Sequence, residues 1–395
     1  MRHVTPAERR TRLARRHAVS PAHRVSDVVA ATRAMTVLHA TEAHTVHLSL
    51  AARVDGLTTA DTDRALYVDR SLVKQLAMRR TLFVFPRDLL PATWGSASAR
   101  VAEFERRRIS KDVVATGWAT DSEAWLDEAG HAVLALVGAS DVGLGATEIR
   151  ALVPSLAGKV SMSPGTKWGG ELPIAPRVLT WLGARAEIVR GVNTGHWRTN
   201  RPRWVSMADW LGERPDPLSE DDGYAELVRR WLGTFGPGTE TDLVWWLGST
   251  KAAVRRALAA LHAVEVSLDE GQTGWLLPDD LEPVPDVEPW AALLPVLDPT
   301  TMGWKQRDFY LDPGHAPYLV DRAGNAGTTA WVDGRVVGCW VQDDDATVRV
   351  VLREDVGSDA LARLEVEAER LTGWLDGQQI NSVYKSQLMR GERLP

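Results

Sequence analysis

The stretch TETDLVWWLGSTKAAVRRALAALHAVEVSLDEGQTGWLLP, starting at Thr239, constrains the fold of this 395-residue chain most. Thr239 followed three residues later by Asp242 is a helix-capping pair. Gly248-Ser249 makes a turn, with Ser249 expected to cap the next helix. In that helix Val254, Ala257, Leu258 and Leu261 share one face. Val264, Val266 and Leu268 then alternate as a strand, Glu270-Gly271 turns the chain, and Trp275 and Leu277 return. Helix, turn, helix and a two-stranded wing describe a winged helix-turn-helix, a unit that usually meets nucleic acid.

Two further units are predicted upstream. Ser26–Arg53 reads as two helices broken around Leu38-His39-Ala40-Thr41-Glu42. Thr58–Val68 reads as a helix capped by Thr58 and Asp61. SLVKQLAMR, from Ser71, reads as a second short helix, and TLFVFP, from Thr81, as a strand. In the middle unit, helices are expected over Asp121–Val137, from Gly145 and over Pro173–Leu182. Wing strands are expected over Ala186–Arg190 and His196–Val205. A lead-in helix over Asp221–Leu232 precedes the third unit, and the acidic, proline-rich LPDDLEPVPDVEP closes it. Beyond this linker the period changes to that of strands: Ala291–Leu297, Tyr318–Asp321, Thr328–Val332, Arg335–Val341 and Thr347–Arg353. Asp333-Gly334 forms a hairpin turn. A last helix from Ser358 places Leu361, Leu364, Leu371 and Leu375 on one side. The expected fold class is α+β, mainly α: tandem winged helices in 1–110, 111–215 and 216–285, then a β-rich domain in 286–395.

Charge is distributed unevenly. The net charge is −6, yet residues 1–110 hold 19 basic and 10 acidic side chains, and the remainder carries −15. Attraction to phosphate is therefore expected from the N-terminal part, and the third unit reads as a scaffold rather than a groove reader. The opening helix, capped by Thr5 and Glu8, carries Arg9, Arg10, Arg12, Arg15 and Arg16. It is either a phosphate-contacting arm or a solvated face. One cysteine, Cys339, excludes internal disulfides and multi-cysteine zinc sites and suits a cytoplasmic protein. No apolar run is long enough to span a membrane. Phosphate-binding loops, HExxH and GxSxG are absent, and no cofactor is expected. His39, His44 and His47 cluster on one segment, but lack a clear set of further metal ligands.

The polar residues at the break between the first two helices are either local capping groups, with Thr41 as N-cap, or a cluster that positions a water. The chain resembles the winged-helix DNA glycosylases of the AlkZ/YcaQ type over most of its length. Leu38-His39-Ala40-Thr41 stands where that family has its catalytic Gln-aliphatic-Gln or Gln-aliphatic-Asp. LAMRRTLFVFP is similar to its Arg-Gly-Thr strand entry, with Arg80 in place of Gly. PVLDPTTMGWKQRDFYL and WVDGRVVGCW resemble two C-terminal segments. Neither glutamine is present here.

The resemblance implies hydrolysis of the N-glycosidic bond of an alkylated or bulky base in duplex DNA by a monomer. His39 and Thr41 would hold the water, His39 also offering a general base, and Glu42 would face the developing positive charge. Lys74, Arg79, Arg80, Lys305 and Arg307 would grip the DNA, and Trp304 would press on a base or serve as core. Two other readings stay open. One is a non-catalytic winged-helix regulator reading two half-sites. The other is an interaction scaffold that uses the acidic third unit.

Overall fold

A computed structural model describes residues 1–162 and 170–392. Helix α1, Pro6–Arg16, starts at Thr5, whose hydroxyl accepts the Glu8 N–H, as the sequence pattern predicts. Its arginines are neither an arm nor a uniformly solvated face. Arg12 is buried and donates to Glu8, to the Asp280 carboxylate and to the Asp280 and Glu282 carbonyls. Arg16 donates to Asp280 as well. The acidic linker folds back over α1 and pairs Arg12 and Arg16 with Asp280.

The first winged unit comprises α2 (Val28–Ala34), β1 (Leu38–His39), α3 (Ala43–Ala51), α4 (Thr59–Asp63), β2 (Leu72–Ala77) and β3 (Thr81–Pro86). Thr58 and Asp61 cap α4 reciprocally, and a π-helical turn, Arg64–Val68, extends it. The three strands pair antiparallel in the order β1-β3-β2. The helix expected from Ser71 is therefore strand β2. Both faces of β2 are largely buried, so neither the alternation of a half-exposed strand nor a polar helix face marks it in the sequence. The correction moves the second helix of the motif back to Thr59–Val68. Lys74 becomes a strand residue, and Arg79 and Arg80 become the tip of the β2–β3 hairpin.

A short helix, α5 (Leu90–Thr93), leads into the middle unit. Helices α6 (Ala99–Thr116), α7 (Ser122–Gly138), α8 (Ala146–Leu152) and α9 (Ala175–Ala184) surround a separate core that includes Ile109, Val133, Leu156 and Val178. Two hairpins accompany them, β4 (Lys159–Met162) with β5 (Gly170–Pro173) and the expected wing, β6 (Ile188–Asn193) with β7 (Pro202–Ser206). Helix α10 (Met207–Leu211) follows.

The third unit matches its sequence closely. Helix α11 spans Glu220–Phe235, α12 spans Glu240–Leu247 and α13 spans Lys251–Ala260. Strands β8 (Val264–Ser267) and β9 (Thr273–Leu276) form the wing. Thr239 and Asp242 cap α12, and Gly248 ends it at φ +61°. The next cap is Thr250 rather than Ser249, its hydroxyl accepting the Ala253 N–H.

In the C-terminal domain β10 (Ala291–Leu294), β11 (Thr329–Val332), β12 (Arg335–Gln342) and β13 (Val348–Leu352) make a sequential antiparallel sheet. Asp333 and Gly334 both take positive φ, as a tight Asp-Gly hairpin requires. Helix α14 covers Pro299–Met302, and α15 covers Ala316–Leu319, where a strand was expected from Tyr318. Pro317 at the start of α15 is preorganised for that helical turn. Helix α16 (Ser358–Leu375) lays Leu364, Leu371 and Leu375 on the sheet, while Leu361 stays exposed.

The first and third units and the C-terminal domain share one core, in which Phe83, Trp231 and Trp331 belong to the same cluster. A fully buried ion pair pins the first unit to the C-terminal domain. Arg53 donates from Nη2 to Asp298 at 2.7 Å and from Nε to the His17 carbonyl, and Ser49 donates to the same carboxylate. Among the described residues no helix is long and apolar enough to cross a membrane.

Candidate functional site

Strand β1 is short because α2 and α3 leave only a narrow break, and pairing with β3 sets His39 opposite Phe83. The imidazole is buried, 4.6 Å from the Phe83 ring, and its Nε2 lies 3.4 Å from Arg79 Nη2. A guanidinium only donates, so Nε2 accepts and the proton resides on Nδ1. Among the described residues that buried Nδ1 has no hydrogen-bond partner. Burial, and then the Arg79 charge, push the His39 pKa well below 6.5, so the ring is neutral. Its lone pair faces Arg79, which leaves it better placed to donate from Nδ1 than to take up a proton.

Arg79 sits at φ +53° on the hairpin tip, and its guanidinium lies 4.0 Å from the Trp245 ring of α12. The approach is close enough that a Cβ on Gly248 would come within 2.8 Å of the Arg79 nitrogen. Arg79 Nε is buried and has no hydrogen-bond partner among the described residues. Burial, helped by nearby Arg307, lowers the pKa of this group to about 10. Arg307 is buried too, 5.7 Å from the same ring, and donates to the Trp304 and Gly324 carbonyls. Among the described residues no carboxylate pairs with either arginine. The result is a pocket of uncompensated positive charge around Trp245.

Glu42 occupies the N-cap position of α3, where Thr41 was expected, but its side chain does not cap the helix. It turns instead toward His44, with Oε2 2.9 Å from Nε2, and toward the C-terminal tail, where the Val383 N–H donates to Oε1 at 2.8 Å. Burial alone would raise its pKa. The close approach of His44 and its charge, a hydrogen bond from Ser382 and the Val383 N–H together hold it below the ordinary carboxylate value. Thr41 is exposed on the turn. The three expected catalytic side chains are thus neighbours in sequence that face different partners, and no hydrogen bond links them among the described residues. The histidines diverge as well, His44 facing Glu42 and His47 facing Asp63. His44 also lines a cavity of about 120 Å³ with Trp340, Asn381, Ser382 and Lys385. That space is large enough for several waters.

The expected DNA contacts separate into two groups. Arg80 and Lys305 are exposed, Arg80 with its guanidinium 4.4 Å from the Phe104 ring. Lys74 is buried against Tyr67, to whose hydroxyl it donates at 2.7 Å, and burial followed by the Arg190 charge brings its pKa to about 8. Trp304 is only 2% exposed, donates to the Phe235 carbonyl and packs against His17, Phe235 and Phe309. Lys74 and Trp304 are therefore placed in the interior, without a surface to offer a duplex. Trp245 and Ser382–Tyr384 were not anticipated, and His44 was weighed only as a metal ligand. Trp245 lies inside the most legible motif but looks like one more core aromatic, and the tail carries no local signal.

Three comparisons bear on this arrangement. The family model described as DNA glycosylase AlkZ-like matches residues 32–374. The chain belongs to the AlkZ-like DNA glycosylase family. Among solved structures, Streptomyces sahachiroi DNA glycosylase AlkZ superposes with a TM-score of 0.70, covering 94% of this chain and 98% of that one at 19% identity. At that identity the likeness speaks for the fold. No curated protein matches the sequence. The AlkZ-like span contains His39, Glu42, Arg79 and Trp245 and ends before the tail residues that touch Glu42.

Proposed function

We propose that this AlkZ-like chain is a monofunctional DNA glycosylase that hydrolyses the N-glycosidic bond of an alkylated or bulky base in duplex DNA, leaving an abasic site. One observation carries the reading: an ionised carboxylate, Glu42, stands at the helix break of the same unit that gathers uncompensated positive charge at Arg79. An N-alkylated purine is already cationic and leaves without a strong acid. The site then needs an anion facing the oxocarbenium-like sugar and a water held in line. Glu42 supplies the first. The space beside His44 has room for the second. Arg79, Arg80, Arg307 and Lys305 attract the backbone, and a phosphate oxygen would satisfy the unpartnered donor of Arg79.

Base release from duplexes carrying 7-methylguanine or a bulkier N7 adduct tests the reading. Glu42→Gln should lower the single-turnover rate by about 100-fold, with the circular dichroism spectrum unchanged. The wild-type rate should stay flat as pH falls through about 6.5, because His39 is already neutral there. Wild-type protein without activity on every lesion sinks the proposal. A second reading, a non-catalytic DNA-binding protein, is favoured by the engagement of both Glu42 oxygens by His44 and Val383. It predicts tight binding to one unmodified sequence in the same experiment.

A further inference from the structure

The tail that reaches Glu42 is held along its length. The Gln342 amide donates to the Gln378 carbonyl and its oxygen accepts the Ile380 N–H. Arg198 donates to the Gln379 carbonyl, and Gln379 donates to the Asp343 carbonyl. Over the next five residues exposure alternates. Ser382 and Tyr384 are partly buried, Ser382 toward Glu42 and Tyr384 in a cluster with Trp245 and Met302. Asn381, Val383 and Lys385 are exposed. Val383 is 81% exposed, and its backbone N–H is bonded to the Glu42 carboxylate. Scattered exposed apolar residues are ordinary. This one differs in being tethered to the carboxylate of the candidate site, next in sequence but one to a lysine that has no ion pair among the described residues.

We propose that Val383 is a wedge that enters the base stack of duplex DNA beside the target nucleotide, with Asn381 and Lys385 contacting the strand on either side. The proposal rests on the DNA glycosylase reading for its choice of occupant. The chemistry is that of an apolar side chain replacing a base-stacking contact, while a cation meets the phosphate and an amide meets a groove edge. The segment is built for this: its inward residues lock it to Glu42 and Trp245, so insertion would place the opened step over the carboxylate. Val383 acts by positioning the nucleotide, and Glu42 faces the reacting sugar.

The test uses the full chain and a duplex carrying 7-methylguanine next to 2-aminopurine, whose fluorescence rises on unstacking. Wild type should raise the fluorescence and release base. Val383→Ala keeps the backbone N–H and should lose the fluorescence rise and slow release by about tenfold. Val383→Leu should restore both, which a merely structural role would not predict. Absence of a rise with wild type, or an equal rise with Val383→Ala, overturns the wedge even if base is released. A rise that Val383→Ala abolishes, without base release by wild type, keeps the wedge and sinks the hydrolase instead.

Discussion

The first and third winged units carry the same elements and treat their cations in opposite ways. On α13, the helix that would enter a groove, Arg255 and Lys251 face Glu240 and Arg256 faces Asp221. At the hairpin of the first unit, Arg79 and Arg80 lie over the rings of Trp245 and Phe104 and have no carboxylate partner among the described residues. A paired cation projects little field, whereas one resting on an aromatic face keeps its charge available to phosphate. The motif alone therefore does not mark the surface that meets DNA. The clearer winged helix pairs its own cations and supports Arg79 of the first unit, through Trp245 and the turn at Gly248.

Four measurements would break or sharpen this contrast. The largest effect is expected where the first unit is anchored. Asp298→Ala strands the buried Arg53 guanidinium and should cost about 3–5 kcal/mol in urea unfolding, with the site lost along with the fold. Acid comes next. His17, buried between Phe235 and Trp304, and His39 both have pKa values pushed well below 6.5, by burial first and then by Arg53 and Arg79 respectively. The unfolded chain binds protons below about pH 6.5 that the native chain refuses. Stability should thus fall as pH drops through that value, by at most about 1.4 kcal/mol per pH unit for each histidine. His17→Asn should flatten the slope of unfolding midpoint against pH.

Smaller effects separate the two units directly. Arg79→Gln should weaken binding to an unmodified duplex by about tenfold and reduce the salt slope by about one, read by fluorescence anisotropy across a salt series. Arg255→Ala with Arg256→Ala, in the third unit, should change the same affinity by less than about twofold. Equal losses in the two experiments would erase the distinction between site and scaffold.

How far the sequence could be read follows from where each signal lies. The capping pair Thr239 and Asp242, the left-handed Gly248 and the Asp333-Gly334 turn are local, and each stands where it was expected. The break holding His39, Thr41 and Glu42 was legible because a run of polar residues interrupts two helical stretches there. SLVKQLAMR misled because a strand buried on both sides loses its alternation. Lys74 read as a DNA contact, since nothing nearby in sequence announces Tyr67 as its partner or the middle unit as its cover. The basic helix α1 read as an arm or a solvated face, since the carboxylate that pairs with Arg12, Asp280, is 268 residues away.

The sequence by itself determined the third winged unit, the β-rich end, the uneven charge and the segment where chemistry is proposed, because capping, periodicity and turn geometry act over a few residues. Only the tertiary structure decided which cations remain unpaired, that Trp304 is core, that Trp245 carries Arg79 and that Glu42 is held by Val383. These are contacts between residues far apart in the chain. Burial and the low dielectric that comes with it exist only once the units pack, and they decide both the charge state of His39 and the reach of each arginine.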